Sequence, residues 1–217
     1  MATLDLVLAV DGSHRDAPLV VVVDAGGGLA DSLPMEPGVT SVVAAVRDAL
    51  AAYRQLLVGV VAVSGPGSYM GVRAGLAAAL GAAQALAIPL ALVGSLEVIA
   101  AQADPREEAV LAVADAGRGG TLGQLLEPKL DAGMQPRWSP LGAAELLGRD
   151  LPWPEKWQAL RWMVGNPGAG RSLPLHARQL PLSRDRRQAL AWVVAGGPDP
   201  ITGYDRVTAD YAQPLGA

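Results

Sequence analysis

Leu57-Val-Gly-Val-Val-Ala-Val63, followed by Ser64-Gly65-Pro66-Gly67-Ser68-Tyr69-Met70-Gly71-Val72-Arg73, is the stretch that decides the fold. The first part is a short, valine-rich apolar run, which reads as a buried strand. Glycine, proline and serine then break it. From Gly71 to Ala87 the chain carries one charge, Arg73, and no proline, so a helix follows the turn; Pro89 marks its end. Leu90–Val93 is a second apolar run, and Ser95 is placed to cap a further short helix to about Ala101.

Upstream, Leu4–Val10 is an apolar run ending in Asp11-Gly12-Ser13, and Leu19–Asp24 is β-branched and closed by Gly26-Gly27-Gly28. The two read as a hairpin, with Leu29–Leu33 as a third strand. Val42, Val46, Ala49, Leu50, Tyr53 and Leu57 recur at three- and four-residue spacing, with Arg47, Asp48 and Arg54 opposite. That spacing predicts an amphipathic helix capped by Thr40 or Ser41. Hairpin strands followed by helix, strand, helix, strand and helix imply an α/β fold, a mixed sheet flanked by helices.

Downstream the pattern starts again. Ala109–Ala114 is a strand ending in Asp115-Ala-Gly117-Arg-Gly119-Gly120, and Thr121–Leu126 is its neighbour. Pro140–Leu147 and Ser183–Val194 read as helices. Composition changes at the same place. Residues 1–102 hold 4 Lys and Arg against 8 Asp and Glu, whereas residues 103–217 hold 13 of each and all five tryptophans. Two lobes are therefore expected, 1–102 and 103–217, with the break in Gln102–Arg106.

Composition excludes several chemistries. With no cysteine there is no disulfide, thiolate metal site or cysteine nucleophile. The only histidines, His14 and His176, are too far apart in sequence for a helical metal-binding pair, and no metal site is expected. A net charge of −4 argues against a strong nucleic-acid binder. The start lacks a basic n-region and carries Asp5, unlike a signal peptide. Ala74–Leu96 is uncharged, but Gln84, Pro89, Gly94 and Ser95 interrupt it, so helix, turn and strand describe it better than a membrane span.

The glycine loop permits two readings. Its glycines and the helix start behind them could cradle a phosphate or carboxylate, with Arg73 one turn in. They could equally make a tight turn that only allows close packing. Neither a Walker loop nor a nucleophile elbow fits, since no Gly-Lys-Ser/Thr follows and Ser68 is not in Gly-x-Ser-x-Gly. The helix behind the loop repeats small residues every four positions, at Gly71, Gly75, Ala79, Ala83 and Ala87. Such a stripe allows close approach either to its own sheet or to a helix of another subunit.

Gly65–Ala100, GPGSYMGVRAGLAAALGAAQALAIPLALVGSLEVIA, resembles the TsaB (YeaZ) family, the non-catalytic subunit of the bacterial tRNA threonylcarbamoyladenosine machinery. LAVDGS near the start and VLAVADAGRGG at Val110–Gly120 fit its other landmarks, and Ala209–Pro214 faintly resembles its ending. Met70, Thr40-Ser41, Gly117 and Gln213 differ from the family pattern. The resemblance implies a two-lobe actin-like/sugar-kinase (ribonuclease H-like) fold without its own catalysis. It implies pairing with the catalytic homologue TsaD, an ATPase partner TsaE, and tRNA reached through the complex, all in the cytoplasm. It places partner contacts on Val42, Val46, Tyr53, Gly71, Gly75, Ala79 and Ala83, and self-association is expected when the partner is missing. Asp11, Gly12, Ser13, Gly65, Gly67, Ser68 and Arg73 would form a degenerate anion or nucleotide site, with ATP or ADP at the subunit junction as the ligand to test. The competing expectation is an active ATPase or small-molecule kinase using the Asp11 and Asp115 turns. A third is direct tRNA binding by Arg171, Arg178, Arg184, Arg186 and Arg187, against which Asp185 and the neutral balance of the second lobe weigh.

Overall fold

A computed structural model describes residues 5–24, 26–105, 108–129, 136–168, 171–174, 176–201, 207–210 and 212–214. The chain forms two compact units, Met1–Ser95 with Leu190–Asp210, and Leu96–Ala189 with Tyr211–Ala217.

In the first unit, β1 (Leu6–Asp11), β2 (Leu19–Asp24), β3 (Leu29–Ser32), β4 (Leu57–Gly65) and β5 (Leu90–Gly94) form one sheet in the order β3-β2-β1-β4-β5. The first three strands are antiparallel; β1, β4 and β5 are parallel. The mixed sheet is thus the one the sequence pattern implied. Parallel strands need crossovers, and α1 (Val39–Tyr53) and α2 (Tyr69–Leu86) supply them. Leu8, Val10, Val20, Val22, Val60 and Ala62 from the strands meet Val42, Ala45, Val46 and Ala49 of α1 and Val72, Leu76, Ala79 and Ala83 of α2 in one core. The i, i+3, i+4, i+7 spacing on α1 carries out the amphipathic reading.

Helix α1 starts differently from expectation. Its N-cap is Gly38, with φ of 120°, and no side chain caps it. Thr40 and Ser41 lie inside the first turn, and the Ser41 hydroxyl donates to the Gly38 carbonyl at 2.6 Å. Ser68 caps α2, its hydroxyl accepting from the Gly71 N–H at 3.4 Å. At the other end Ala87 takes the left-handed conformation, φ 53°, and turns the chain into β5. A short helix, α3 (Ser95–Ala100), follows.

In the second unit, β6 (Val110–Gly117) and β7 (Gly120–Lys129) form a long antiparallel pair. The sheet extends through β8 (Arg137–Pro140), β9 (Glu145–Leu147), β10 (Trp162–Gly165), β11 (Arg178–Gln179) and β12 (Gln213–Pro214), in the order β11-β10-β6-β7-β9-β12, with β8 also on β7. A one-turn helix, α4 (Glu155–Gln158), carries Trp157 into the core, where a side chain on Gly123 would meet the indole at 2.4 Å. Pro140–Leu147 is therefore not a helix. Its last three residues pair with β7 and β12, contacts between segments distant in sequence that local spacing does not reveal. The Ser183–Val194 expectation is met by α5 (Arg186–Ala195), whose residues from Leu190 onward belong to the first unit. Asp185 accepts from the Gln188 N–H and the Gln188 side chain accepts from the Asp185 N–H, both at 2.9 Å, a reciprocal cap. No described helix is long and apolar enough to cross a membrane.

Candidate functional site

Asp11 ends β1 and is fully buried. One of its carboxylate oxygens accepts from the Ser13 N–H at 2.8 Å and from the Ser13 hydroxyl at 2.5 Å, closing an Asx turn around Gly12. The same hydroxyl oxygen lies 2.9 Å from His14 Nδ1. Asp11 and Ser13 were expected at the site and His14 was not, since three nearly consecutive residues match no serine-hydrolase spacing. With its proton directed to Asp11, the Ser13 hydroxyl is an acceptor toward His14, the reverse of the polarity a histidine-activated nucleophile requires.

The glycine loop closes over this turn. The Ser68 N–H donates to the Ser13 carbonyl at 2.8 Å. A Cβ on Gly67 would lie 2.5 Å from that carbonyl oxygen. A Cβ on Gly12 would lie 2.1 Å from the Gly71 carbonyl oxygen, and one on Gly71 would lie 2.1 Å from the Gly12 carbonyl oxygen. The backbones interlock where neither residue can carry a side chain. Two N–H groups that an anion would need, those of Ser68 and Gly71, are thus turned to partners within the chain. Arg73 lies over the Tyr69 ring, 4.3 Å from its centroid. Of the seven residues expected at an anion site, Asp11, Gly12, Ser13, Gly67 and Ser68 come together through contacts with one another and with Gly71, whereas Gly65 faces Asp210 and Arg73 lies on Tyr69.

The end of β4 is held from further along the chain. The Ser64 hydroxyl donates to the Asp210 carboxylate at 2.7 Å, and the Asp210 N–H donates to the Ser64 carbonyl at 2.7 Å. Gly65, with φ of 113°, leaves room for the Asp210 carbonyl, which a Cβ would meet at 2.6 Å. The buried Ser95 hydroxyl donates to the Pro66 carbonyl at 2.5 Å. Asp210 was legible only as part of a faint family ending. Its contact with Ser64 spans most of the chain and leaves no local signal. Tyr211, in that same ending, lies outside the described residues.

The residues read as partner-facing lie elsewhere than expected. Val42, Val46, Gly71, Gly75, Ala79 and Ala83 are buried in the first unit's own core. A Cβ on Gly75 would already sit 3.3 Å from the Gly12 nitrogen. Tyr53 is half-buried, and its hydroxyl donates to Asp31 at 2.7 Å; that carboxylate raises its pKa above the ordinary phenol value. Gly71 and Gly75 pack on the Val10–Gly12 end of β1, and Ala79 and Ala83 join the same core, because four-residue spacing selects one helix face without saying which body meets it. The outward faces are formed by other residues. On α1 these include Val43, 54% exposed, with Arg47 and Ala51. On α2 they are Tyr69, Met70, 59% exposed, Arg73, Ala77, Gly81, Gln84 and Ala85. Arg73 is the single charge on all of α2.

The second acidic turn is a hairpin tip. The Gly117 N–H donates to the Asp115 carboxylate at 2.7 Å, and Gly117, Arg118 and Gly119 all have positive φ. The arginine group is scattered. Arg171 donates to the carbonyls of Gly148, Arg149 and Leu151, Arg184 pairs with Asp104 at 2.7 Å, Arg187 pairs with Asp185 at 3.1 Å, and Arg178 lies in β11. Among the described residues no group of three or more His, Cys, Asp or Glu is placed to hold a metal ion.

Comparison with known proteins follows the same outline. A family model for TsaD, tRNA N6-adenosine threonylcarbamoyltransferase, matches residues 38–124. YeaZ from Pseudomonas aeruginosa superposes with a TM-score of 0.66 at 21% identity, over 96% of this chain and 100% of that one. The chain has the YeaZ fold. A structure described as an uncharacterized protein with similarity to peptidase YeaZ from Pseudomonas aeruginosa gives 0.68 at 20% identity, over 97% and 100%. No curated protein matches the chain. The resemblance carried by Gly65–Ala100 is borne out by these matches, and the YeaZ fold accommodates both units.

Proposed function

We propose that this chain is a TsaB-type, non-catalytic subunit that pairs with a catalytic homologue of the TsaD type in threonylcarbamoylation of adenosine 37 of ANN-decoding tRNAs. In this reading it acts in the cytoplasm, an ATPase of the TsaE type joins the assembly, and tRNA is met through the complex. The observation that carries the proposal is the whole-length YeaZ fold combined with a glycine loop that interlocks with the Asp11–Ser13 turn. A loop held by the neighbouring turn suits a structural role better than turnover of a substrate.

The pairing surface in this proposal is the outward face of α1 and α2, centred on Val43, Met70, Ala77 and Gly81. A solvated helix normally carries charged and polar residues along its outer side. That α2 exposes Met70, Ala77, Gly81 and Ala85, with only Arg73 and Gln84 as charged or amide residues, suits close helix-to-helix docking. A stable interface buries about 1,600 Å² in total.

Co-purification with the catalytic homologue, followed by a tRNA modification assay, tests the reading. A stable complex and modification that depends on this chain are expected. Absence of a complex, or modification unchanged by adding the chain, would refute it. Replacements at Gly75 or Ala79 do not serve as interface probes, because both positions are interior.

A further inference from the structure

The second unit contains a cavity of about 390 Å³, lined by Arg149, Asp150, Leu151, Trp153, Arg171 and Leu173 among others. That volume lies within the roughly 300–1,000 Å³ usual for small-molecule sites. We propose that it binds a nucleoside phosphate, with the phosphate on Arg149 and the base against the apolar wall around Trp153. The proposal is independent of the pairing argued above, which concerns the other unit.

Arg149 supplies the anion contact. Its side chain lies across Gly119, where a Cβ would come within 2.1 Å of Nε, so the positive-φ glycine at the hairpin tip makes the seat for this guanidinium. No described residue accepts a hydrogen bond from it or pairs with it. A guanidinium seated beside a cavity without a protein acceptor is matched to phosphate, which it can bind through two parallel N–H groups.

Arg171 has a different task. It donates to the carbonyls of Gly148, Arg149 and Leu151, and so fixes the backbone that carries Arg149. Those partners are neutral, and its charge remains on the cavity wall. Asp150 is the one acidic residue lining the cavity, so two guanidiniums outnumber one carboxylate.

The apolar wall is rigid. The Trp153 indole N–H donates to the Ser172 carbonyl at 2.9 Å, Arg171 lies 5.1 Å from the ring centroid, and Trp157 packs against it at 5.9 Å. Leu151 and Leu173 remain 52% and 38% exposed beside it. A ring locked on several sides and flanked by exposed leucines offers a flat ligand an apolar surface at little ordering cost.

The test is calorimetric titration of the full chain with AMP, adenosine, inorganic phosphate and a single-stranded hexaribonucleotide. AMP is expected to bind, with adenosine and inorganic phosphate each at least about tenfold weaker, because each lacks one half of the contact. Arg149→Met keeps the stem and removes the charge; it should weaken AMP about tenfold while leaving the circular dichroism spectrum and melting temperature unchanged. Trp153→Leu should weaken AMP and leave phosphate alone. If the hexanucleotide binds more tightly than AMP, the natural ligand is a unit within an RNA strand; if AMP binds as well or better, it is a free nucleotide. No AMP binding up to about 10 mM overturns the proposal. So does equal binding of adenosine and AMP, or AMP binding that survives Arg149→Met and is lost in Arg73→Ala, which would place the nucleotide at the glycine loop.

Discussion

Asp11-Gly12-Ser13 and Asp115-Ala-Gly117 look alike as sequence, and the molecule treats them in opposite ways. Asp11 is fully buried and its turn is locked against Gly67 and Gly71, whereas Asp115 is exposed at a hairpin tip and a side chain on Gly117 would meet nothing within 4 Å. The acid and glycine are common to both, so they do not decide the outcome. What decides it is whether a helix start lacking a Cβ is available to close over the turn. In the first unit Gly71 provides one.

Mutations can break that contrast. Gly71→Ala or Gly12→Ala forces a methyl onto a carbonyl at 2.1 Å and should cost about 3 kcal/mol or more in chemical denaturation, since backbone must move. Gly117→Ala has open space and should cost only about 1 kcal/mol, the strain of a positive φ. Equal costs would show that interlocking is not what separates the turns. Asp11→Ala strips the Ser13 N–H and hydroxyl of their acceptor in a buried site and should destabilise by about 2 kcal/mol; Asp115→Ala, at the solvent, should stay below about 1 kcal/mol. The helix faces supply a parallel contrast. Gly75→Glu should prevent folding of the first unit, while Ala77→Glu should change stability by no more than about 0.5 kcal/mol and abolish co-purification with the catalytic partner.

The smallest effect concerns pH. The Asp185 carboxyl is held below its ordinary value, first by the Gln188 N–H and then by Arg187. A lowered folded-state pKa means that its contribution is complete above the ordinary carboxylate value and fades as pH falls through the lowered one. Asp185→Asn keeps a cap on α5 and should flatten this part of the acid limb of the melting-temperature profile, without moving the neutral end by more than about 2 °C.

The first unit was legible because its pattern is local. Valine runs, a glycine loop and one amphipathic helix each report on their own conformation, and alternation after a hairpin restricts the sheet to few arrangements. The second unit was less legible because its order comes from distant partners. Glu145–Leu147 becomes a strand through Gly123 and Gln213, and Trp157 is central only because Gly123 lies beneath it. At the candidate site His14 and Asp210 gave no local signal, whereas Asp11, Gly12, Ser13, Gly67 and Ser68 were identifiable as Asp, Gly and Ser turn residues. Their interlocking was not, since a glycine that admits a ligand and one that admits another backbone are the same letter. The direction of the Gly71–Ala83 stripe was hidden for the same reason.

The tie between Ser64 and Asp210 also bears on how the protein is made. Synthesis runs from the amino end, and domains tend to form as they leave the ribosome. The end of β4 at Ser64 gains its last partner only once residue 210 has been made, long after the five strands of the first sheet. A chain ending before Val207 would therefore keep the five strands of the first sheet and the Ser13 and Ser95 contacts of the glycine loop, and would lose the Asp210 partner that fixes the end of β4.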